Sequence, residues 1–277
     1  MRFVTYNIHS FGGNDHRDNL DRITAVLKAT DADVIALQEV VHPTSERAGL
    51  DPHLKRLADA LNMKYYWGEA VDGFGNALLT RLPVLSHSTI LLPSLARPKN
   101  MHTRCALRVE IDISSLHDGA ACKPLCVYSL HLDHIDEERR MRQAEELMNH
   151  LKEDHTVLLG DFNALTRQDY DDIHWKQITD HRINSRWEAP RSDLMRRMME
   201  DGKFTDSMRV VYERKGQYGK HPQKTKTCWA GTRIDYVLTR GFDERAIVDG
   251  KVLDDGGASD HWPVMIDLDV ECLKENQ

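Results

Sequence analysis

Residues 157–164 read VLLGDFNA: an apolar run, a glycine, then Asp161, Phe162 and Asn163. A short continuous apolar run bounded by turn-forming residues marks a strand buried on both faces, so something must cover each side of its sheet. The polar pair sits where such a strand ends. The same arrangement recurs outward along the chain. Asn7 closes the run in TYNI (5–8), Glu39 closes the one in ALQEV (36–40), and His131 closes the one in VYSLHL (127–132). Toward the C-terminus the order reverses: Asp235 opens the strand in RIDYVLT (233–239), and Asp260 and His261 open the one in WPVMIDL (262–268). If the last two strands run opposite to the others, every one of these groups reaches the same rim.

Patterning predicts further strands over 64–69, 77–80, 84–91 and 105–113, besides those at 3–8, 34–37, 125–130, 156–159, 234–239 and 262–270. In 105–113 Cys105, Leu107, Val109, Ile111 and Ile113 alternate with Ala106, Arg108, Glu110 and Asp112, the period of a half-buried antiparallel strand. Helical spacing appears over 18–29 (Leu20, Ile23, Val26 and Leu27 on one face, Asp18 as N-cap), over 52–61 and over 137–152. Glu138 and Arg142 add an i,i+4 ion pair to the last of these. Residues 164–224 predict two short helices and long loops, with 181–230 the most loop-like stretch and a candidate insertion. Strands in both halves with helices between them imply two packed sheets covered by helices on the outside. No linker divides the chain, so one domain is expected over 1–270, with 271–277 as a tail.

The 277 residues are 40% hydrophobic and 29% charged, the composition of a globular protein with an ample core. Net charge is 37 − 44 = −7, which argues against a non-specific polyanion binder but leaves room for a local basic groove. Five cysteines at irregular spacing read as reduced thiols, and Cys122 and Cys126 make a poor zinc knuckle with no partner pair downstream. No apolar run approaches ~18 residues and MRFVTYNIHS lacks a signal-peptide pattern, so no membrane insertion and a cytoplasmic location are expected.

The residues at the predicted rim suggest a chemistry. Glu39, Asp161 and Asp260 are hard oxygen donors suited to Mg²⁺ or Mn²⁺. Asparagines can orient a water or an anionic oxygen without adding charge, and a histidine beside an aspartate can move a proton or stabilise charge. There is no nucleophile elbow and no Walker phosphate loop. Metal-assisted attack of water on phosphorus follows. Taken singly, each residue also has an ordinary reading: Glu39 as a loop carboxylate, Asp161 and Asn163 as turn residues, Ser259 as a cap, Asp235 and Arg233 as a surface pair. The case rests on the ordered set.

That set, TYNI (5–8), LQEV (37–40), SLHL (129–132), GDFNA (160–164), RIDY (233–236) and SDHWP (259–263), together with GNALLTRLP (75–83), resembles the endonuclease/exonuclease/phosphatase superfamily over residues 2 to about 270. The resemblance implies an α/β chain of the α+β type: a four-layer αββα sandwich of two mixed β-sheets, deoxyribonuclease I-like, with the site at one end. It implies that Glu39, with Asn7 and Asp260 beside it, binds the divalent cation. Asn7 and Asn163 would hold the phosphate and the attacking water, which Asp161 positions or deprotonates. His261, oriented by Asp235, would stabilise transition-state charge. His131 falls where the family donates to phosphate or protonates the leaving group. Arg104, with Arg97 and Arg108 nearby, falls where a phosphate-contacting arginine is common. At position 9, where several members carry a metal-binding aspartate, this chain has His9, so a phosphate contact is expected there instead.

The superfamily core does not name a substrate. His134 either touches substrate or caps the helix that follows. Trp229 and Trp262 either flank the cleft, where an aromatic can stack on a base, or pack in the core. The element TCWAGTRI (227–234) departs from the inositol-phosphatase pattern, and no hydrophobic hairpin suits a membrane sphingomyelinase. His9 and Phe162 depart from the tyrosyl-DNA phosphodiesterase pattern. A monomeric nuclease or nucleic-acid phosphodiesterase is therefore expected, the alternative being a phosphomonoesterase or a lipid or inositol headgroup phosphodiesterase. A catalytically dead binding module would have lost Glu39, Asp161 or His261, and all three are present.

Overall fold

β1 (Arg2–Asn7) leads through a 3₁₀ turn and α1 (Leu20–Lys28) to β2 (Val34–Val41), then α2 (His53–Leu61), β3 (Lys64–Val71), β4 (Phe74–Thr80), β5 (Val84–Leu92) and β6 (Arg104–Ile111). The second half runs β7 (Leu125–His131), α3 (Glu137–His150), β8 (Thr156–Asp161), α4 (Asp172–Asn184), α5 (Asp193–Glu200), β9 (Thr205–Asp206), α6 (Ser207–Arg214), β10 (Asp235–Arg240), β11 (Ile247–Val252) and β12 (Val264–Leu268). The computed structural model describes residues 1–12, 19–41, 53–93, 103–116, 122–219 and 225–271.

These strands form two six-stranded sheets, ordered β11-β12-β1-β2-β4-β3 and β5-β6-β7-β8-β10-β9. Each sheet holds one parallel pair, β1 with β2 and β7 with β8, flanked by antiparallel neighbours. Read from β11 and from β9, the two sheets repeat the same order of pairings, with β1 and β8 in equivalent places. Each parallel pair is joined through a helix, as parallel strands require.

Three apolar layers follow from the two faces of each strand. Between the sheets, Phe3, Val34, Ala36 and Leu78 meet Leu107, Val127, Val157, Leu159 and Val237. On the outer face of the first sheet, Val4, Tyr6, Ile35, Leu37 and Leu79 pack under Leu20, Ile23 and Leu27 of α1 and Leu54, Leu57 and Leu61 of α2. On the outer face of the second, Tyr128, Leu130, Leu158, Tyr236 and Leu238 pack under Ala144 and Leu147 of α3 and Leu194, Met195 and Met198 of α5. The expected four-layer αββα sandwich of two mixed sheets is what the chain forms.

Several local expectations are corrected. The described residues of 164–224 hold three α-helices, not two, and the end of α4, all of α5 and all of α6 fall within 181–230. α4 leaves no helical period in the sequence because it has no apolar face: none of its side chains is buried, and Ile173 and Ile183 are exposed. Asn19, not Asp18, occupies the N-cap of α1, and its side chain makes no capping bond, donating instead to Ala258 O at 2.8 Å. Asp18, Pro52, Arg97 and Cys272 lie outside the described residues. β11 was unforeseen because its sequence, IVDGKV, is short and interrupted by glycine. The remaining four cysteines are unbridged.

Candidate active site

The rim forms because β10 runs antiparallel to β8 and β12 antiparallel to β1. In the second sheet His131, Asp161 and Asp235 are direct neighbours across three strands: His131 pairs with Asp161 and Asp161 with Asp235. In the first sheet Asn7 pairs with Gln38. The two central strands, β1 and β8, bring Asn7 and Asp161 face to face, with Asn7 Nδ2 donating to Asp161 Oδ2 at 3.1 Å and to Glu39 Oε1 at 3.2 Å.

Glu39 does not close its strand as expected. It sits within β2, where the register with β4 steps from Leu37↔Ala77 to Val40↔Gly75, one extra residue on the β2 side. Glu39 adopts φ 57° in this bulge. A bulge re-aims a side chain, and a left-handed non-glycine residue persists only where its surroundings hold it. Asn163 is another such residue, at φ 50°, a conformation asparagine tolerates. Its backbone N–H donates to Asp161 Oδ1 at 2.9 Å, while its Nδ2 donates to Leu132 O and lies 3.1 Å from His131 Nε2. His9, Ser10 and Phe11 are left-handed in succession. This turn places the backbone N–H of His9 on Asn7 Oδ1 and its ring 3.9 Å from Asp260 Oδ1.

The C-terminal segment is pinned by Ser259. Its hydroxyl donates to Asn7 O at 2.7 Å and accepts from the backbone N–H of His261 at 3.2 Å. His261 Nδ1 then lies 2.9 Å from Asp235 Oδ2, and its Nε2 lies 3.7 Å from Asp161 Oδ2. Asp260 stays half-buried on the open side. Arg104, buried at the start of β6, lies 3.3 Å from His134 Nδ1, while its Nε has no hydrogen-bond partner among the described residues. Arg108 is committed elsewhere, donating to Glu153 at 2.7 Å. Asn7, His9, Glu39, Arg104, His131, Asp161, Asn163, Asp235, Asp260 and His261 are thus gathered at one mouth, whereas Arg108 is not.

Burial sets their charges. Burial, and then Asp235, pushes the carboxyl of Asp161 up to about 7. Burial and the neighbouring Arg104 hold His131 well below its ordinary value, so it stays neutral. Burial also works against a charged His261, but Asp235 and Asp161 outweigh it and raise the imidazole well above its ordinary value. One neutral histidine and one imidazolium therefore face the same carboxylate. Burial lowers Arg104 against the pull of Glu39 and Asp161.

Two groups of residues could hold a cation. Ligand-type atoms of Asp161, Asp235 and His261 lie within 4.8 Å of one another. That trio is already closed by the His261–Asp235 hydrogen bond, which an ion would have to displace. Glu39 is the less buried carboxylate, backed by Asn7 and with Asp260 beside the same segment, and its donor set is all oxygen. It suits a hard divalent ion better.

Some working residues had no flag in the sequence. Thr227 Oγ1 accepts from the backbone N–H groups of Ile234 and Asp235, both at 3.0 Å, and so sets the start of β10. Gln38 spans the two sheets under the site, accepting from Thr5 and donating to Ser129 at 3.2 Å; a polar residue inside an apolar run was its only signal. Arg233 is not a surface partner of Asp235. It is buried between Asp169 and Asp206. His134 does not cap α3; Asp136 does, accepting from Arg139 N. Trp262 is half-buried under Lys226, and Trp229 is exposed at the mouth.

The sequence profile of the endonuclease/exonuclease/phosphatase family matches residues 4–261. No curated protein matches the chain. Among solved structures, an endonuclease/exonuclease/phosphatase from Beutenbergia cavernae superposes with a TM-score of 0.70 at 23% identity, over 96% of this chain and 70% of that one. The 3′ phosphatase NExo from Neisseria, bound to product DNA hairpin, gives 0.64 at 19% identity over 97% and 99%. A humanized TDP2 of D. rerio gives 0.58 at 17% identity over 96% and 97%.

Proposed function

The chain belongs to the endonuclease/exonuclease/phosphatase family, and from that premise we propose that residues 1–270 form a phosphodiesterase that uses Mg²⁺ or Mn²⁺ and acts on nucleic acid, with 271–277 as a tail. The observation that carries the reading is the chain of contacts Glu39–Asn7–Asp161–His261–Asp235, which joins a cation-type carboxylate to a charged acid/base set at one mouth.

Glu39 would hold the cation, with Asn7 and Asp260 beside it. When bound, the ion supplies Lewis-acid polarisation of the phosphoryl group. Arg104, Asn7, Asn163 and His9 hold the phosphate. Asp161 takes the proton of the attacking water, a role suited to a carboxyl raised toward neutral pH, and Asn163 orients that water. His261, kept charged by Asp235, faces the oxygen on which negative charge accumulates. His131, neutral and 3.4 Å from Asp161, is placed to serve the leaving oxygen. Nucleic acid is favoured because Arg104, Arg182, Arg186 and His134 cluster at the mouth of a chain whose net charge is −7. The 3′ phosphatase among the structural neighbours favours a phosphomonoester at a DNA end as the second reading. The chain acts as a monomer in this account, its site complete within one copy.

Side-by-side assays on single-stranded DNA, duplex DNA, RNA, DNA bearing a 3′ phosphate, inositol phosphates and sphingomyelin test the substrate. The highest kcat/KM is expected on an internal nucleic-acid diester, and a clear preference for a lipid or inositol headgroup overturns it.

A further inference from the structure

Trp229 and Trp187 are 58% and 43% exposed, although indoles are usually largely covered in a folded chain. Their rings touch edge to face with centroids 6.0 Å apart. Together with His134, Arg182 and Arg186 they line a groove of about 580 Å³ that opens directly onto His261 and Asn163. Trp229 is tied to the site by backbone. Its N–H donates to Asp260 O at 2.8 Å, and Cys228 forms an antiparallel bridge with His261. The backbone that carries the indole is therefore tied to the backbone that carries the imidazole. Trp187 is braced by the edge of His181 at 5.5 Å and by Arg182, whose guanidinium lies 5.9 Å from the ring centroid while its Nε donates to Glu188 O. Two π surfaces flanked by cations thus stand beside His261 and Asn163.

We propose that Trp187 and Trp229 form a stacking step for an unpaired nucleobase next to the scissile phosphate, so that the substrate is a strand or strand end whose base can leave the helix stack. This rests on the nucleic-acid reading above. A flat base fits because every base has a π face, and stacking adds to phosphate binding without demanding a particular sequence. An inositol ring offers no π face, and although Ile135 and Ile234 also line the groove, Arg182 and Arg186 suit an anionic strand better than an acyl chain. The site draws on α4 and the turn after it, the part of the chain least visible in the sequence.

The test compares kcat/KM on two otherwise identical single-stranded oligonucleotides, one with a base beside the cleaved phosphate and one with a tetrahydrofuran abasic unit there. The parent protein is expected to favour the base by about tenfold or more, through KM. In Trp187→Ala and Trp229→Ala the ratio should fall toward one, and Trp229→Phe should restore it; both positions are exposed, so folding is not at stake. A parent with no base preference overturns the proposal, as do alanine variants that keep the full ratio; both leave the nucleic-acid reading standing. If neither oligonucleotide is cleaved while bis-nitrophenyl phosphate is, the nucleic-acid reading falls and takes the stacking step with it.

Discussion

Glu39 carries more of the account than its neighbours because it occupies the bulge in β2 at φ 57° and accepts a hydrogen bond from Asn7. A carboxylate held this way near other negative groups gains from a cation. Saturating Mg²⁺ or Mn²⁺ should therefore raise the melting temperature of the parent protein and leave Glu39→Gln nearly unmoved, as ligand binding to the folded state requires. An equal shift in both proteins removes Glu39 as the cation ligand. His261 depends on Asp235 in the same local way. Its raised pKa means that its charge-linked stabilisation is complete below its ordinary value of 6.5 and is lost only as pH climbs through the higher folded value. In Asp235→Asn the imidazole should titrate at lower pH by NMR, and the rate at neutral pH should drop at least ~100-fold. An unchanged titration contradicts the pairing. The identities of these groups were legible in the sequence because each follows or precedes an apolar strand. What was hidden was conformation: nothing in ALQEV announces a bulge, and Thr227 and Gln38 act through backbone and sheet contacts that only pairing creates.

At the scale of elements, the site depends on how closely β7 and β8 approach. A Cβ on Gly160, the residue before Asp161, would stand 2.0 Å from Leu130 O, a backbone atom that cannot step aside. Gly160→Ala should cost about 3 kcal/mol or more in chemical denaturation. A neutral result would show that these strands are looser than the pairing requires. Arg233 ties β10 to the turn at 167–169 and to β9 through two buried carboxylates. Arg233→Met should cost about 4 kcal/mol by stranding Asp169 and Asp206, whereas a well-packed triple replacement of all three could be neutral. On the outer side of β6, Glu153 pays a burial cost that raises its pKa, but the hydrogen bond from Arg108 overrides it and the net shift is downward. Its contribution is present above the ordinary value of 4.5 and fades as pH falls through the lower folded value. Glu153→Gln should be less stable than the parent at neutral pH, with the gap closing only as pH falls past the ordinary 4.5 and through the lower folded value. A gap that persists into acid contradicts an ionic origin. The alternation in 105–113 was readable because Leu107, Val109 and Ile111 face the core between the sheets while Arg108 and Glu110 are only half-buried; the strand is not half-buried throughout, since Ala106 is covered on the outer face. α4 was not, because an element with no buried side chain leaves no periodic trace.

Over the whole molecule, two sheets with the same pairing order pack face to face, and each contributes one half of the site from the end of its parallel pair. Glu39 and Asn7 come from the first sheet, His131, Asp161 and Asp235 from the second, and the segment before β12 returns His261 across the seam. The sandwich was readable in advance because strands and helices alternate in both halves, and the shared rim followed once the last strands were taken to run backward. The groove was not readable, since Trp187 comes from a stretch with neither strand nor apolar face. No described helix is long and apolar enough to cross a membrane. The central claim is that residues from both sheets act as one cation-dependent phosphodiester site. Its most direct test is nitrophenol release from bis-nitrophenyl phosphate by the parent, Glu39→Gln and His261→Ala proteins, each with Mn²⁺ and with EDTA. The account requires turnover by the parent only with the ion, and at least ~100-fold less from either folded variant. Undiminished turnover in EDTA, or full rate from His261→Ala, contradicts it.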